Sequence, residues 1–306
     1  MTRSLVAFGV RRVAGGLLFV LLVGASAFTL THFAPGDATI DLAATGASAD
    51  VVHAERVRLG LDRSLTEQFL RWGRGLLAGD LGTSSQFRRP VAELVVERAG
   101  DTALLASAAL LLATVVGLPL GIISGAMPRH WVARVTEPAS LILLSCPPLV
   151  LSLLLLFVAA RTGWLAVESG RLALPMLALA LPLAASLERL QAQAVRDVAA
   201  QPDLLATTAR GVPRSRVIWT HVARQSLRPV LGIYGIVIGS LFGGSLVVEM
   251  VTSWPGLGRL MYDALRSRDI DLVTGCALAG AIFLAVGNVT ADLMRALVDP
   301  RARDAA

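Results

Sequence analysis

The sequence contains no lysine, and all 28 of its basic residues are arginine. This absence excludes a P-loop, whose lysine holds nucleotide phosphates, and it excludes catalysis through a Schiff-base lysine. The chain therefore cannot hydrolyse ATP at a conventional nucleotide site of its own. Charge is also scarce, because charged residues make up 16% of the chain, whereas a soluble domain carries about 25%.

Cysteine and histidine are too few and too scattered to indicate a metal centre. Cys146 and Cys276 lie in separate apolar segments, which predicts two small buried side chains and no disulfide. The four histidines show no spacing typical of ligands. No metal or cofactor is therefore expected on this chain. The net charge of +6 comes from dispersed arginines that flank apolar segments, so nucleic acid is not an expected partner.

Long uncharged stretches are what the sequence has in abundance. Six of them occur, at 13–36, 102–128, 138–160, 172–187, 229–248 and 272–291. A helix that crosses a bilayer needs about 20 mostly apolar residues, which five stretches supply and the sixth reaches with its flanks. The sequence predicts an all-α integral membrane protein in which six transmembrane helices form a single domain over residues 1–306.

The distribution of arginine predicts the orientation. With a cytoplasmic N-terminus, six spans put both termini in the cytoplasm; the inside segments then hold 15 arginines and the two short outside loops hold five. Short cytoplasmic loops are enriched in basic residues, so this orientation is favoured. Ala25-Ser26-Ala27 resembles a signal-peptide cleavage site, but the uncharged stretch around it, at 24 residues, exceeds a normal signal core and favours a retained helix.

Residues 34–101 are predicted to form a small helical extracytoplasmic segment between the first two transmembrane helices. Ser64-Leu65-Thr66-Glu67 reads as a capping box at the start of one helix. Gly60 can end an earlier short helix, and Pro90 can begin another. These helices could cap the outer face of the bundle or lie flat on the membrane surface.

Two sets of glycines repeat every fourth residue within the predicted spans: Gly117, Gly121 and Gly125 in the second, and Gly235, Gly239 and Gly243 in the fifth. Small residues at this spacing let helix backbones approach closely in a membrane. Each set could serve internal packing or a subunit interface. Apart from His32 near one end, the middle of each span lacks ionisable groups, so transport driven by ion or proton coupling is not expected.

The longest predicted inside segment, 188–228, carries a sharply bounded short helix. The fourth span is expected to continue to Ala199 and to break at Gln201. Pro202 and Asp203 suit a helix start, and Gly211 suits its stop. Leu204, Leu205 and Ala209 give the short helix an apolar stripe that fits a groove on a partner protein. A following helix should begin at Pro213 and end at Pro229.

Two ordered motifs make the sequence recognisable. The run Ala209-Arg210-Gly211, Arg216-Val217-Ile218, His221, Arg224 and Pro229-Val230 resembles the cytoplasmic loop of bacterial ABC importer permeases. Glu249 followed by Ser253-Trp254-Pro255-Gly256-Leu257-Gly258-Arg259 resembles the outer loop of the dipeptide/oligopeptide/nickel class. Upstream, Pro35-Gly36-Asp37 and Gly79-Asp80-Leu81-Gly82-Thr83-Ser84 are similar to its B-type subunit. The resemblance covers essentially the whole chain.

The resemblance implies the type I permease fold and a set of partners. These are a C-type permease subunit that completes the pore as a heterodimer, two cytoplasmic ATPase domains that bind ATP and magnesium, and an extracytoplasmic solute-binding protein, all at the bacterial inner membrane. It implies no enzyme activity for the chain itself. It assigns contact with the ATPase to Gln201, Asp203, Leu204, Leu205, Thr207, Ala209, Arg210 and Gly211, and an outer structural motif to Glu249, Trp254, Pro255, Gly256, Gly258 and Arg259.

Some features depart from the family or leave alternatives open. Gln201 stands where the family usually has an acidic residue, and Thr207 stands where it has alanine. The predicted outer loop 161–171 is short, which makes a nickel-type solute a stronger alternative. Di- or oligopeptides and glutathione are the other expected solutes. A membrane-embedded enzyme or an ion channel would need clustered polar residues or a filter motif, and neither is evident.

The outer motif also carries a conformational prediction. Tryptophan favours the membrane interface, so Trp254 is expected at the outer rim of the bundle. Pro255-Gly256 suits a tight turn, for which we expect a positive φ at Gly256.

Overall fold

The computed structural model describes residues 2–33, 39, 45–163, 171–202 and 210–298. Within these ranges the chain is helical, and its only β-type pairing is an isolated bridge between Thr83 and Pro90. The helices are α1 (Thr2–Phe33), α2 (Ala49–Leu59), α3 (Leu65–Leu77), α4 (Val91–Ala126), α5 (Trp131–Ser145), α6 (Pro148–Thr162), α7 (Ala173–Ala199), α8 (214–231), α9 (Tyr234–Thr252), α10 (Leu257–Arg266) and α11 (Ile270–Val298).

The chain groups into two compact units. The first comprises Met1–Val13, Leu104–Trp254 and Val286–Ala306, and the second comprises Ala14–Ala103 and Pro255–Ala285. The division falls inside α1, α4 and α11, each of which is a continuous helix. The prediction of a single domain therefore stays a prediction.

Several helices have the length and apolarity to cross a membrane. Four qualify alone, at Gly9–Phe33, Val91–Ala126, Ala173–Ala199 and Ile270–Thr290. The number rises to six when two pairs of helices, each bent at a short break, count as one span apiece. An all-helical integral membrane protein with up to six spans is the architecture that the uncharged stretches predict.

The third predicted span, 138–160, is not one straight helix. It consists of α5 and α6, each 15 residues long, which meet at an angle of 109°. Cys146 between them is extended, with φ −94° and ψ 115°, and Pro148 begins α6. Proline disfavours a helical conformation in the residue before it, and two consecutive prolines at 147 and 148 therefore force a break within the predicted span.

The first unit has a core that small residues bring close together. Ala109 and Ala113 of α4, Ala178 and Leu187 of α7, and Val248 of α9 have no exposed surface. These positions belong to one continuous apolar cluster within the unit. Alanine and glycine allow close helix approach, which matters in a membrane because lipid supplies no hydrophobic driving force between helices.

In the second unit α3 packs on the part of α1 that belongs to the same unit. The centroids of the Phe28 and Trp72 rings lie 5.5 Å apart, as do those of Phe28 and Phe69. The Ser64 hydroxyl accepts a hydrogen bond from the Glu67 backbone N–H at 3.4 Å, which is one half of the predicted capping box. Gly60 ends α2 with φ +70°. Two aromatic side chains of α3 thus contact α1, and the choice between capping the bundle and lying flat on the membrane stays open.

Candidate functional site

The predicted contact with the ATPase lies directly beyond the end of α7. This helix continues to Ala199, and the exposed Gln201 and Pro202 follow it. Arg210 and Gly211 are also exposed, and Gly211 has φ +85° with open space around its Cα. The remaining predicted contact residues lie outside the described residues: Asp203, Leu204, Leu205, Thr207 and Ala209. What the structure provides is the two ends of the 202–211 segment and the left-handed backbone at its glycine.

The helix that follows differs from expectation in two ways. It comprises α-helical Arg214–Arg216, a π-helical turn at Val217–Val222, and α-helical Ala223–Leu231. The prediction that Pro229 ends it is wrong, because Pro229 lies inside the last portion and Gly232 still donates to the Arg228 carbonyl. A proline removes one backbone donor, but the hydrogen bonds on either side of it can continue the helix. The π turn has no counterpart in the sequence analysis.

α7 and α8, the helices on either side of the 202–211 segment, pack against each other. Val195 and Val198 of α7 belong to one apolar cluster with Val217 and Val222 of α8. The Gln191 side-chain amide on α7 donates to the Ser226 hydroxyl on α8 at 2.7 Å, and both side chains are fully buried. The segment is therefore bounded by two helices that are joined by apolar contacts and by a buried hydrogen bond.

A second buried polar pair lies one turn earlier on α7. The Ser140 hydroxyl of α5 donates to Oε2 of Glu188 at 2.8 Å, and Glu188 is only 2% exposed. Oε1 of Glu188 and Oε1 of Gln191 are buried without a hydrogen-bond partner among the described residues. We call Ser140, Glu188, Gln191 and Ser226 the polar junction. Residue 188 was expected at the start of the predicted inside segment 188–228, and this buried cluster was not expected.

The glycine triplet of α4 packs directly on α7 in the first unit. A Cβ at Gly117, Gly121 or Gly125 would lie 2.5 to 2.6 Å from the carbonyl oxygens of Ala184, Glu188 and Ala192, respectively. These distances are too short for any side chain, so this triplet serves internal packing. Glu188 and Gln191 of the polar junction share the face of α7 that meets these glycines.

The triplet of α9 differs from that of α4. Gly235, Gly239 and Gly243 all lie on α9, and a Cβ at Gly243 would meet nothing within 4 Å. Close internal packing therefore does not require glycine at residue 243. A subunit interface is the alternative that stays open for this position.

The outer motif begins in the first unit with a tight reversal at the end of α9. The backbone N–H of Trp254 donates to the carbonyl of Glu249 at 3.0 Å, and Ser253 has φ +56°. The side chain of Trp254, which was expected at the outer rim, is 5% exposed and belongs to the apolar core. The reversal after Ser253 turns the indole inward, which the general preference of tryptophan for interfaces does not anticipate.

The rest of the motif lies in the second unit and begins α10. The positive φ expected at Gly256 is wrong: its φ is −95° and its ψ is −174°, which is extended backbone at the helix start. The Pro255 carbonyl accepts from Arg98 at 3.1 Å, and the Leu257 backbone N–H donates to the Thr102 hydroxyl at 2.8 Å. Gly258 is buried on α10, beside the half-buried Arg259.

Asp269 anchors a further part of the second unit. The Ser84 hydroxyl and the Gln86 backbone N–H donate to its Oδ2 at 2.6 and 3.1 Å, and the Leu272 backbone N–H donates to its Oδ1 at 3.1 Å. The side chain is 2% exposed. It therefore caps the start of α11 and holds the loop after Gly82, which joins the Gly79–Ser84 motif to a residue 185 positions after Ser84.

Comparison with known proteins finds relatives over nearly the whole chain. Residues 117–304 match the family described as binding-protein-dependent transport system inner membrane component, and residues 5–105 match its N-terminal domain family. The glutathione transport system permease protein GsiC of Pectobacterium atrosepticum is 31% identical over 96% of this chain and 98% of its own length. GsiC of Escherichia coli K12 is 30% identical over the same shares, and GsiC of Salmonella paratyphi A is 30% identical over 96% and 97%.

The chain belongs to the family of binding-protein-dependent transport system inner membrane components. It is an integral inner-membrane permease of an ABC importer and a transport subunit, not an enzyme. A permease of this family works together with a second permease, an ATPase and a solute-binding protein. The resemblance drawn from the motifs is thereby confirmed.

Proposed function

We propose that this chain is the B-type subunit of a peptide importer and forms half of the pore with a C-type partner. Small peptides, glutathione among them, are the proposed solutes. The observation that carries this proposal is the similarity over 96% of the chain to permeases named for glutathione transport. Nickel remains the less favoured alternative, since it rests only on the short loop 161–171.

The proposed orientation places both termini and the 202–211 segment in the cytoplasm. It is supported by the arginine count of 15 in the inside segments against five in the short outside loops. It puts α2 and α3 on the extracytoplasmic side, where the binding protein delivers solute. Cysteines introduced at residue 85 or 170 should react with an impermeant reagent from outside, whereas those at 205 or 304 should not.

The 202–211 segment is proposed to dock into a groove on one of two cytoplasmic ATPase domains. Its two ends support this proposal, because Pro202 and Arg210 are exposed and the chain reverses at Gly211. The leucines within the segment supply the apolar side chains that such a groove requires. ATP and magnesium would be bound by the ATPase and not by this chain.

Uptake into proteoliposomes tests the solute class. The vesicles contain this chain, its partner permease, the ATPase and the binding protein, with ATP inside. Uptake of labelled glutathione or a dipeptide that requires both ATP and the binding protein supports the proposal. If nickel is imported and no peptide competes with it, the peptide assignment is wrong.

Gly211 provides the sharpest test of the contact with the ATPase. Its left-handed backbone costs a bulky residue about 1–2 kcal/mol, and Gly211→Leu should therefore misdirect the segment. We expect the complex to assemble while ATP hydrolysis becomes uncoupled from uptake. Gly211→Asn is the matched control, because asparagine tolerates this conformation, and Gln201→Glu should also be tolerated. Normal coupling in Gly211→Leu would contradict the assignment.

A further inference from the structure

The polar junction lies where four helices of the first unit meet. Ser140 comes from α5, Glu188 and Gln191 from α7, and Ser226 from α8, and their exposed fractions are 5%, 2%, 0% and 0%. The fourth helix is α4, since a Cβ on Gly121 would lie 2.5 Å from the Glu188 carbonyl and 2.7 Å from the Gln191 Cβ. Partner subunits can only bury these residues further, so the junction is internal in any assembly.

The hydrogen bond between Gln191 and Ser226 differs in kind from the contacts around it. Val195, Val198 and Val222 hold α7 and α8 together through apolar contact, which has no preferred direction. A buried hydrogen bond does have a preferred direction, because it weakens steeply when its angle or its length changes. Apolar contact thus opposes separation of the two helices, whereas the hydrogen bond also opposes rotation and sliding of one along the other.

The two partners of this hydrogen bond are not equivalent. The Ser226 hydroxyl accepts from Gln191 and donates its own proton to the Ala223 carbonyl at 3.1 Å. Removal of the glutamine amide therefore leaves the hydroxyl proton bonded. Removal of the hydroxyl leaves a buried amide donor without its partner, which is the more costly defect.

We propose that Gln191 and Ser226 are positioning residues for energy coupling. They join α7 and α8 into one rigid body, so that a displacement of the 202–211 segment moves the whole of α7, including its apolar portion before Glu188. This inference rests on the proposed contact of that segment with the ATPase. Ser140 and Glu188 extend the same body to α5 through their own buried hydrogen bond.

The test compares three variants with a matched control in the reconstituted complex. Gln191→Met and Ser226→Ala each remove the hydrogen bond, and the double variant removes it without leaving a buried amide. Tyr234→Phe is the control, because it removes a hydrogen bond of similar length in the same unit. This part-buried bond joins Tyr234 of α9 to Thr114 of α4 at 2.8 Å. The first measurement is the number of ATP molecules hydrolysed per solute imported.

We expect the three junction variants to raise this ratio about fivefold, the factor that corresponds to one net hydrogen bond. Tyr234→Phe should lose comparable thermal stability and keep the wild-type ratio. The double variant should melt at a higher temperature than Ser226→Ala alone and still be uncoupled, which separates coupling from folding. A wild-type ratio in Gln191→Met or in the double variant, or an equal rise in Tyr234→Phe, overturns the proposal.

A second measurement needs no solute and separates this inference from the solute assignment. In a chain with Cys146→Ala and Cys276→Ala, a reporter thiol from Ser186→Cys on α7 should change its labelling rate when ATP binds the complex. The junction variants should reduce that change about fivefold. Suppose that the wild-type complex imports no peptide, but that ATP changes its labelling rate and the junction variants reduce that change. In that case only the solute assignment is wrong. If the reporter does not respond to ATP, the positioning role is wrong.

Discussion

Asp269 and Glu188 are both acidic and both 2% exposed, yet their surroundings are opposites. The carboxylate of Asp269 accepts three hydrogen bonds, of which two come from backbone N–H groups. The carboxylate of Glu188 accepts one, from Ser140, and its Oε1 has no partner among the described residues. Equal burial therefore does not imply an equal contribution to stability.

The difference teaches what each acid does for its unit. A carboxylate that satisfies several donors stabilises the fold, because its removal orphans all of them. A buried carboxylate with a single partner carries a desolvation cost that its hydrogen bond does not offset. Asp269 is thus a structural anchor, whereas Glu188 is retained at some cost to stability within the polar junction.

Replacement of Asp269 should give the largest effect. Asp269→Ala leaves the Ser84 hydroxyl and two backbone N–H groups without an acceptor, and we expect a loss of about 3–5 kcal/mol in the free energy of unfolding. Denaturant unfolding in detergent measures it. Asp269→Asn is the control and should lose clearly less, because its carbonyl keeps one of these bonds. Equal losses in the two variants would contradict this account, because the carbonyl kept by asparagine would then contribute nothing.

Replacement of Gly121, which packs against the backbone of Glu188, should give the next largest loss of stability. Gly121→Ala places a methyl group 2.5 Å from the Glu188 carbonyl, and backbone atoms cannot move away as a flexible side chain can. We expect a loss of about 1–3 kcal/mol and a lower yield of folded protein. Gly243→Ala is the matched control on α9, where a Cβ meets nothing within 4 Å. The comparison breaks down if both alanines are tolerated equally in the isolated chain.

Neutralisation of Glu188 should change stability in the opposite direction. Glu188→Gln keeps an acceptor for Ser140 and replaces a buried carboxyl group that has one hydrogen-bond partner, so we expect a gain of about 1–2 kcal/mol and a higher melting temperature. The same measurement on Asp269→Asn should show a decrease. A destabilised Glu188→Gln would mean that the second carboxylate oxygen is needed as an acceptor in the folded protein.

The half-buried carboxylate of Glu55 should show the smallest effect of replacement. The hydrogen bond from Arg58, at 2.7 Å, holds the pKa of Glu55 below its ordinary value. Because this pKa is lowered, the stabilisation is present above the ordinary glutamate pKa and is lost as the pH falls through the folded-state value. Solvent screens the pair, so Glu55→Gln should cost only about 0.3 kcal/mol at neutral pH. An NMR titration of Glu55 that shows no lowering would contradict this account.

Local patterns in the sequence predict much of this fold. Charge-free length identified the apolar helices, and glycine and serine signals placed the ends of α2 and the start of α3 at Gly60 and Ser64. A capping residue determines the backbone conformation only within about one turn of itself. It therefore lies next in sequence to the helix end that it specifies. The family could also be predicted from short motifs, because their order along the chain matches that of the family.

Contacts between distant residues could not be predicted in this way. Ser140 and Glu188 are 48 residues apart, and Ser84 and Asp269 are 185 apart, so no local pattern joins them. The burial of Trp254 and the extended backbone of Gly256 were missed for a related reason. The left-handed residue proved to be Ser253, and tertiary packing then turned the indole into the core.

The break between α5 and α6 has a consequence for how the protein fits its bilayer. Each helix has 15 residues and is about 22 Å long, which is shorter than the hydrocarbon layer of about 30 Å. A straight helix accommodates a thicker or thinner membrane by tilting as a whole or by deforming the lipid around it. Two half-length helices joined at Cys146 can instead change the angle between them. The prolines at 147 and 148 therefore give this stretch a way to absorb hydrophobic mismatch that the straight helices lack.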